Sequence, residues 1–336
     1  MADALDPRPA LPTPRRPVTL TGIASTAWEH PADRAALNSL RALPMFDEIV
    51  RKIFGFFGER GIRQLFLANA VRVGPAQRPA LNALYEEVLA TLDCPTRPEL
   101  YVTQTPFANA AAIGLDRPFI VVNSGALDIL SREEQRVVLA HEVGHIMSGH
   151  AVYTTLALIL VHVGFTNLPF LAGMALLPFQ LALFEWQRKA EFSADRAALL
   201  GTQDRDASMG LFLKFAGGRA DDDRSDLATF VTQAQEYETG GDAWDTVLKI
   251  LNTAFRTHPF STVRVAELQR WIDSGGYDQI LRGDYPRRGD QTQRPLGDDY
   301  ADAAGYYGKQ ARDTFGKMND SLGRARQAFS DAFNKK

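Results

Sequence analysis

The sequence predicts an α+β protein, mostly helical, in which a small antiparallel three-stranded sheet packs on one histidine-bearing helix. Three observations predict it. Short β-rich runs at 99–103, 109–113 and 119–123 are separated by turn signals, Thr105-Pro106 and Gly114-Leu-Asp-Arg-Pro118. Directly after them, Ser131-Arg-Glu-Glu134 reads as a capping box opening a strongly apolar helix with His141-Glu-Val-Gly-His145 inside it. Elsewhere, apolar residues recur at helical spacing.

Length and composition suit one main domain with tails. The chain has 336 residues, 45% hydrophobic and 23% charged, enough to bury a full core. A net charge of -3 gives no electrostatic reason to expect nucleic acid as a partner. With one cysteine, Cys94, no internal disulfide forms, and that thiol reads as a small buried apolar group.

Taken in order, residues 1–30 are expected to be a flexible Pro-rich tail, with five prolines by Pro17 and no apolar run resembling a secretory signal. The main domain is placed at 31–275. From Arg34 to Val73 the pattern is helical, with Ile49, Ile53, Phe54 and Phe57, then Ile62, Leu65, Phe66 and Ala70, at helical spacing. The cluster Phe54-Gly-Phe-Phe57 reads as core packing, with a membrane-dipping edge as the alternative. A helix over 79–92 precedes the three strands.

The segment 151–184 contains no Asp, Glu, Lys or Arg. Asn167-Leu-Pro169 and Pro178 divide it into apolar runs, each short of the ~20 residues that span a bilayer as a helix. Two readings stand: buried helices behind the histidine helix, or a hairpin entering a membrane from one side. After Gly275 the composition turns polar. Residues 276–336 read as a linker followed by an amphipathic helix with Phe315, Met318, Leu322, Ala325, Phe329 and Phe333 on one face. That helix can lie on a membrane, dock on a partner, or stand exposed.

The chemistry centres on 141–145. Two imidazoles four residues apart lie on one helical face and can share a metal ion, while Glu142 can take a proton from water at that ion. Polar groups on so apolar a helix cost several kcal/mol if unpaired, and one Zn2+ per chain resolves that cost. A catalytic zinc needs a third protein ligand. The position six residues after His145 is Ala151, and His30, His150, His162 and His258 do not stand at that spacing. A carboxylate from a second helix remains, and Glu191-Phe-Ser-Ala-Asp195 offers it. Glu191 can bind the zinc while Asp195 orients a ligand imidazole from behind; the alternative is a solvated carboxylate pair on an amphipathic helix.

At this point the chain resembles the gluzincin-type metallopeptidases grouped with HtpX and the CAAX prenyl endopeptidases. Beyond 141–145 and 191–195, Asn109-Ala-Ala-Ala-Ile-Gly114 and the segment Pro118–Leu127 are similar to that family's strand motifs, and Thr257-His-Pro-Phe260 with Arg264 to its His-Pro element. The likeness spans about residues 80–272. Ala111 stands where the family has Phe, and the short interval between the two ligand helices argues against a large membrane chamber.

The resemblance implies a zincin-like domain and zinc-dependent endopeptidase activity on polypeptides, in quality control or processing of membrane-associated proteins. The expected location is cytoplasmic or the inner face of a bacterial-type cell membrane. In this reading Glu142 is the general base, His258 donates to the developing oxyanion, and Arg264 fixes a carboxylate such as Asp195. Asn109 either binds substrate backbone beside the edge strand or caps a turn. The competing class is an inactive metal-bound scaffold or chaperone-like binding protein; an intact Glu142 speaks against it, because a structural site has no use for a base.

Overall fold

The computed structural model describes residues 17–41, 60–61, 63–64, 68–166, 170–217, 227–239 and 258–290. The prolines of residues 1–16, Ile49 to Phe57, Ile62, Leu65, Phe66 and the face from Phe315 to Phe333 lie outside these residues.

The described elements run α1 (Pro31–Arg41), β1 (Ala70–Arg72), α2 (Pro79–Thr91), β2 (Glu99–Thr103), β3 (Ala110–Ile113), β4 (Phe119–Asn123), α3 (Ser124–Ile129), α4 (Arg132–Met147), α5 (Ala151–Thr166), α6 (Phe170–Thr202), α7 (Arg205–Gly217), α8 (Leu227–Thr239), α9 (Ser261–Asp273) and α10 (Gly276–Leu281). The α+β class holds, but the sheet is mixed and has four strands in the order β1-β2-β4-β3. Two expectations about the strands are corrected here.

First, β2 and β4 pair parallel, Leu100 opposite Ile120 and Val102 opposite Val122, so the three predicted strands do not form an antiparallel meander. The cause is the connection after β2. It crosses over the end of β4 and sends β3 to the outer edge, where β3 and β4 form the antiparallel hairpin. The crossing is tight: the Gly125 amide donates to the Thr105 carbonyl at 2.9 Å. A Cβ on Gly125 would lie 2.1 Å from the Pro106 carbonyl oxygen, so only glycine fits beneath the loop. Second, Ala70 belongs to a strand rather than a helix. Ala70–Arg72 pairs antiparallel with β2, and this tertiary pairing overrides the local helical spacing.

The helices wrap one large core. α4 opens with the predicted capping box: Ser131 Oγ accepts from the Glu134 amide, and Glu134 accepts from the Ser131 amide at 2.7 Å. α6 runs 33 residues and passes through Pro178, so the second apolar run and the Glu191 helix are one continuous element. Residues 17–30, expected in the tail, are built into the core: Leu20, Ile23 and Trp28 are fully buried. Residues 276–290 also join the body, with Tyr277 and Ile280 buried and the Ala24 amide bonded to the Pro286 carbonyl.

In the uncharged segment, Leu156, Ala157 and Leu160 pack with Leu183, Trp186 and Leu40 of α1, whereas Leu158 is exposed. Among the described residues no single helix is long and apolar enough to cross a membrane. One pair, α4 with Ala151–Leu160, passes by length and composition but is bent by 93°.

Candidate metal centre

α4 and α6 lie antiparallel and unusually close, because small residues face one another. A Cβ on Gly144 would lie 2.5 Å from the Ala197 Cβ, and one on Gly201 would lie 2.8 Å from the Ala140 Cβ. This contact brings Glu191 of α6 against the imidazoles of α4. His141, His145 and Glu191 each offer a ligand atom within 4.8 Å of the others, and all three are buried. The two Nε2 atoms face each other at 3.1 Å, and Glu191 oxygens stand 3.4 Å from each. Ligands about 2.0–2.1 Å from a tetrahedral ion sit roughly 3.3 Å apart, so the spacing fits a metal of zinc's size. With the ring protons on both Nδ1 atoms, the two Nε2 lone pairs converge on one point with no hydrogen bond between them. The donor set fits a metal.

The small-residue contact is therefore a condition of the site. Gly144→Val should force the helices apart and cost about 1–3 kcal/mol as overpacking. The variant should also release metal to a chelator that the wild type resists, measured by metal retention after dialysis. Unchanged retention would show that the triad does not depend on this contact.

Each member of the triad is held from behind. His141 Nδ1 lies 3.1 Å from Asp195 Oδ1. Asp195 in turn accepts two bonds from Arg264, from Nε at 2.8 Å and from a terminal nitrogen at 2.5 Å. The same guanidinium lies 3.3 Å from Glu191 and over the Phe212 ring. His145 Nδ1 meets His150 Nδ1 at 2.9 Å, and His150 Nε2 lies 3.1 Å from Asp33 of α1. His150 and Asp33 were missed in the sequence. The only signals are a histidine just past the helix end and one acidic residue between the buried Ala32 and Ala35.

The electrostatics follow from burial and pairing. Burial would raise the Glu191 carboxyl, but His258, Arg264 and the two imidazoles hold it well below the usual carboxylate range. Burial likewise opposes ionisation of Asp195, and Arg264 overcomes it. His141 is pushed up to about 10, since Asp195 and Glu191 outweigh its burial; a metal ion competes with that proton. Burial is also the main cause that pushes Glu142 up to about 7, the range suited to a general base near neutral pH. Glu142 Oε2 is buried and has no hydrogen-bond partner among the described residues.

These groups line a cleft of about 240 Å³. Ala108, Asn109 and Ala110 at the start of the edge strand β3 form one side, His258, Pro259 and Ser261 another, and Val137, Val138, Leu211 and Phe212 an apolar wall. His258 is half-exposed, with Nε2 at 3.5 Å from Glu191. Asn109 is exposed, and its carbonyl accepts from the Asn123 amide at 2.9 Å, which anchors the strand entry. The structure thus brings seven sequence-predicted residues to the lining of one cleft, Glu142, His141, Glu191, Asp195, Arg264, His258 and Asn109, and the eighth, His145, to the triad beside it.

Comparison with known proteins gives the same grouping. The model of "Peptidase family M48" matches residues 75–272. The plastoglobule-localized metallopeptidase 48 of Arabidopsis thaliana is 30% identical over 272 residues, covering 79% of this chain and 78% of that protein. A protease HtpX homolog of Moorella thermoacetica is 30% identical over 121 residues, 35% of this chain and 40% of its own length. Protease HtpX homolog 2 of Methanosarcina mazei is 24% identical over 231 residues, 61% of this chain and 77% of that protein. No solved structure gives a significant match.

Proposed function

Because the chain belongs to peptidase family M48, we propose that it is a zinc-dependent endopeptidase acting on polypeptides. The observation that carries this reading is Glu142: a buried carboxylate with a free oxygen, in the cleft beside the His-His-Glu cluster. A site built only to hold an ion has no use for such a group.

His141, His145 and Glu191 would hold the ion, which when bound would supply Lewis acidity to the cleft. Glu142 accepts a proton from the attacking water and returns it to the leaving amine. His258, which also lines the cleft, donates to the carbonyl oxygen as negative charge builds there. Asp195 keeps the His141 ring in place, and Arg264 keeps Asp195 ionised and fixed. An extended substrate aligns along the edge strand at Ala108–Ala110, beside Asn109. Main-chain hydrogen bonds there are indifferent to side-chain identity, which suits a protease acting on many sequences.

The test is hydrolysis of an unfolded protein such as reduced casein. Cleavage should stop when a chelator strips the metal and return with about one equivalent of zinc. Cleavage that persists in verified metal-free protein would overturn the reading.

A further inference from the structure

We infer that His150 and Asp33 are positioning residues for His145, forming a buried relay that sets its tautomer and fixes its ring toward the metal. The inference rests on the reading of His145 as a metal ligand.

The geometry is local and specific. α4 ends at Met147, and Gly149 takes a φ of 73°, a left-handed turn that suits glycine. The turn folds the chain back so that the His150 amide bonds the His145 carbonyl at 2.9 Å. The two rings then face each other through Nδ1, at 2.9 Å. On its far side, His150 Nε2 reaches Asp33 Oδ2 at 3.1 Å, and the ring stands edge-on to Trp186. Asp33 is only 2% exposed, yet it is fully engaged. Oδ1 accepts from Trp186 Nε1 at 3.0 Å, and Oδ2 accepts from Ser193 Oγ at 2.6 Å.

Hydrogen-bond direction makes this a chain with one polarity. His145 points Nε2 at His141 and Glu191, so in a neutral ring ligating through Nε2 the proton sits on Nδ1. That proton must be donated to His150 Nδ1, so His150 carries its own proton on Nε2 and donates it to Asp33. Asp33, ionised, accepts every bond it makes. His141 has the same device in a shorter form, with Nδ1 directly on Asp195. Both ligand imidazoles are thus backed by a buried carboxylate, one directly and the other through an intervening imidazole. The longer arm ties the ligand helix α4 to α1, and through Ser193 to α6 two residues beyond Glu191.

The experiment measures metal affinity of the full-length protein by competition with a chelator, together with the visible spectrum of the Co2+-substituted form. His150→Leu keeps bulk but removes both bonds, and should weaken metal binding about 10- to 100-fold and shift the Co2+ bands. His150→Gln can accept from His145 through Oε1 and donate to Asp33 through Nε2, so it should recover most of the affinity. A purely structural role would not distinguish these two variants in this order. Asp33→Asn, nearly isosteric, should weaken binding about 10-fold and serves if His150→Leu does not fold. Wild-type affinity in His150→Leu or Asp33→Asn would overturn the relay while leaving the peptidase reading intact. A wild type that binds no metal would instead remove the functional reading itself.

Discussion

Glu142→Gln is expected to leave the metal in place and reduce peptide hydrolysis by about 100- to 10,000-fold, the usual contribution of a positioned base. Gln fits the volume of Glu142, whose desolvation pushes its pKa up to about 7, so burying the neutral amide adds no charge penalty. The triad of His141, His145 and Glu191 does not include residue 142, and metal content should stay near one per chain. Two measurements decide the matter: metal analysis after dialysis, and the rate of cleavage of an unfolded substrate. Near-normal cleavage would assign the base elsewhere. Loss of metal along with activity would mean that Glu142 supports the ion rather than the water.

The second large effect separates two carboxylates one helical turn apart. Glu191→Ala removes a proposed ligand, and metal retention should fall by far more than the 10- to 100-fold expected from loss of an orienting group. Asp195→Ala should show the opposite emphasis. It leaves Arg264, buried and also 3.3 Å from Glu191, without its bidentate partner. Breaking such a pair costs about 3–5 kcal/mol, so the main loss should be in denaturant midpoint rather than in metal content. Equal metal retention in the two variants would remove Glu191 from the ligand set.

Much of this arrangement was legible in the sequence because it rests on local patterns. The capping box of Ser131 and Glu134, the strand bounds at 99–103 and 119–123, and the i to i+4 spacing of His141 and His145 are set within a few residues. What stayed hidden depends on contacts between distant segments. Parallel pairing of β2 with β4 follows from where the loop at Pro106 crosses, and only the clash at Gly125 records that path. β1 was misread because three residues are too few to show a period against a helical background. α6 looked broken at Pro178, since proline is the strongest local helix-stop signal, although the helix continues through it. The His150–Asp33 pair joins residues 117 positions apart with no motif between them.

The site draws its parts from well-separated stretches of chain: Asp33 near one end, the histidines in the middle, and Arg264 69 residues beyond Asp195. Before α9 docks, Glu191 and Asp195 would stand side by side, one turn apart on α6, without the guanidinium that neutralises them, and two buried like charges resist burial together. Without residue 264 in place, this part of the cleft lacks the charge that lets it close.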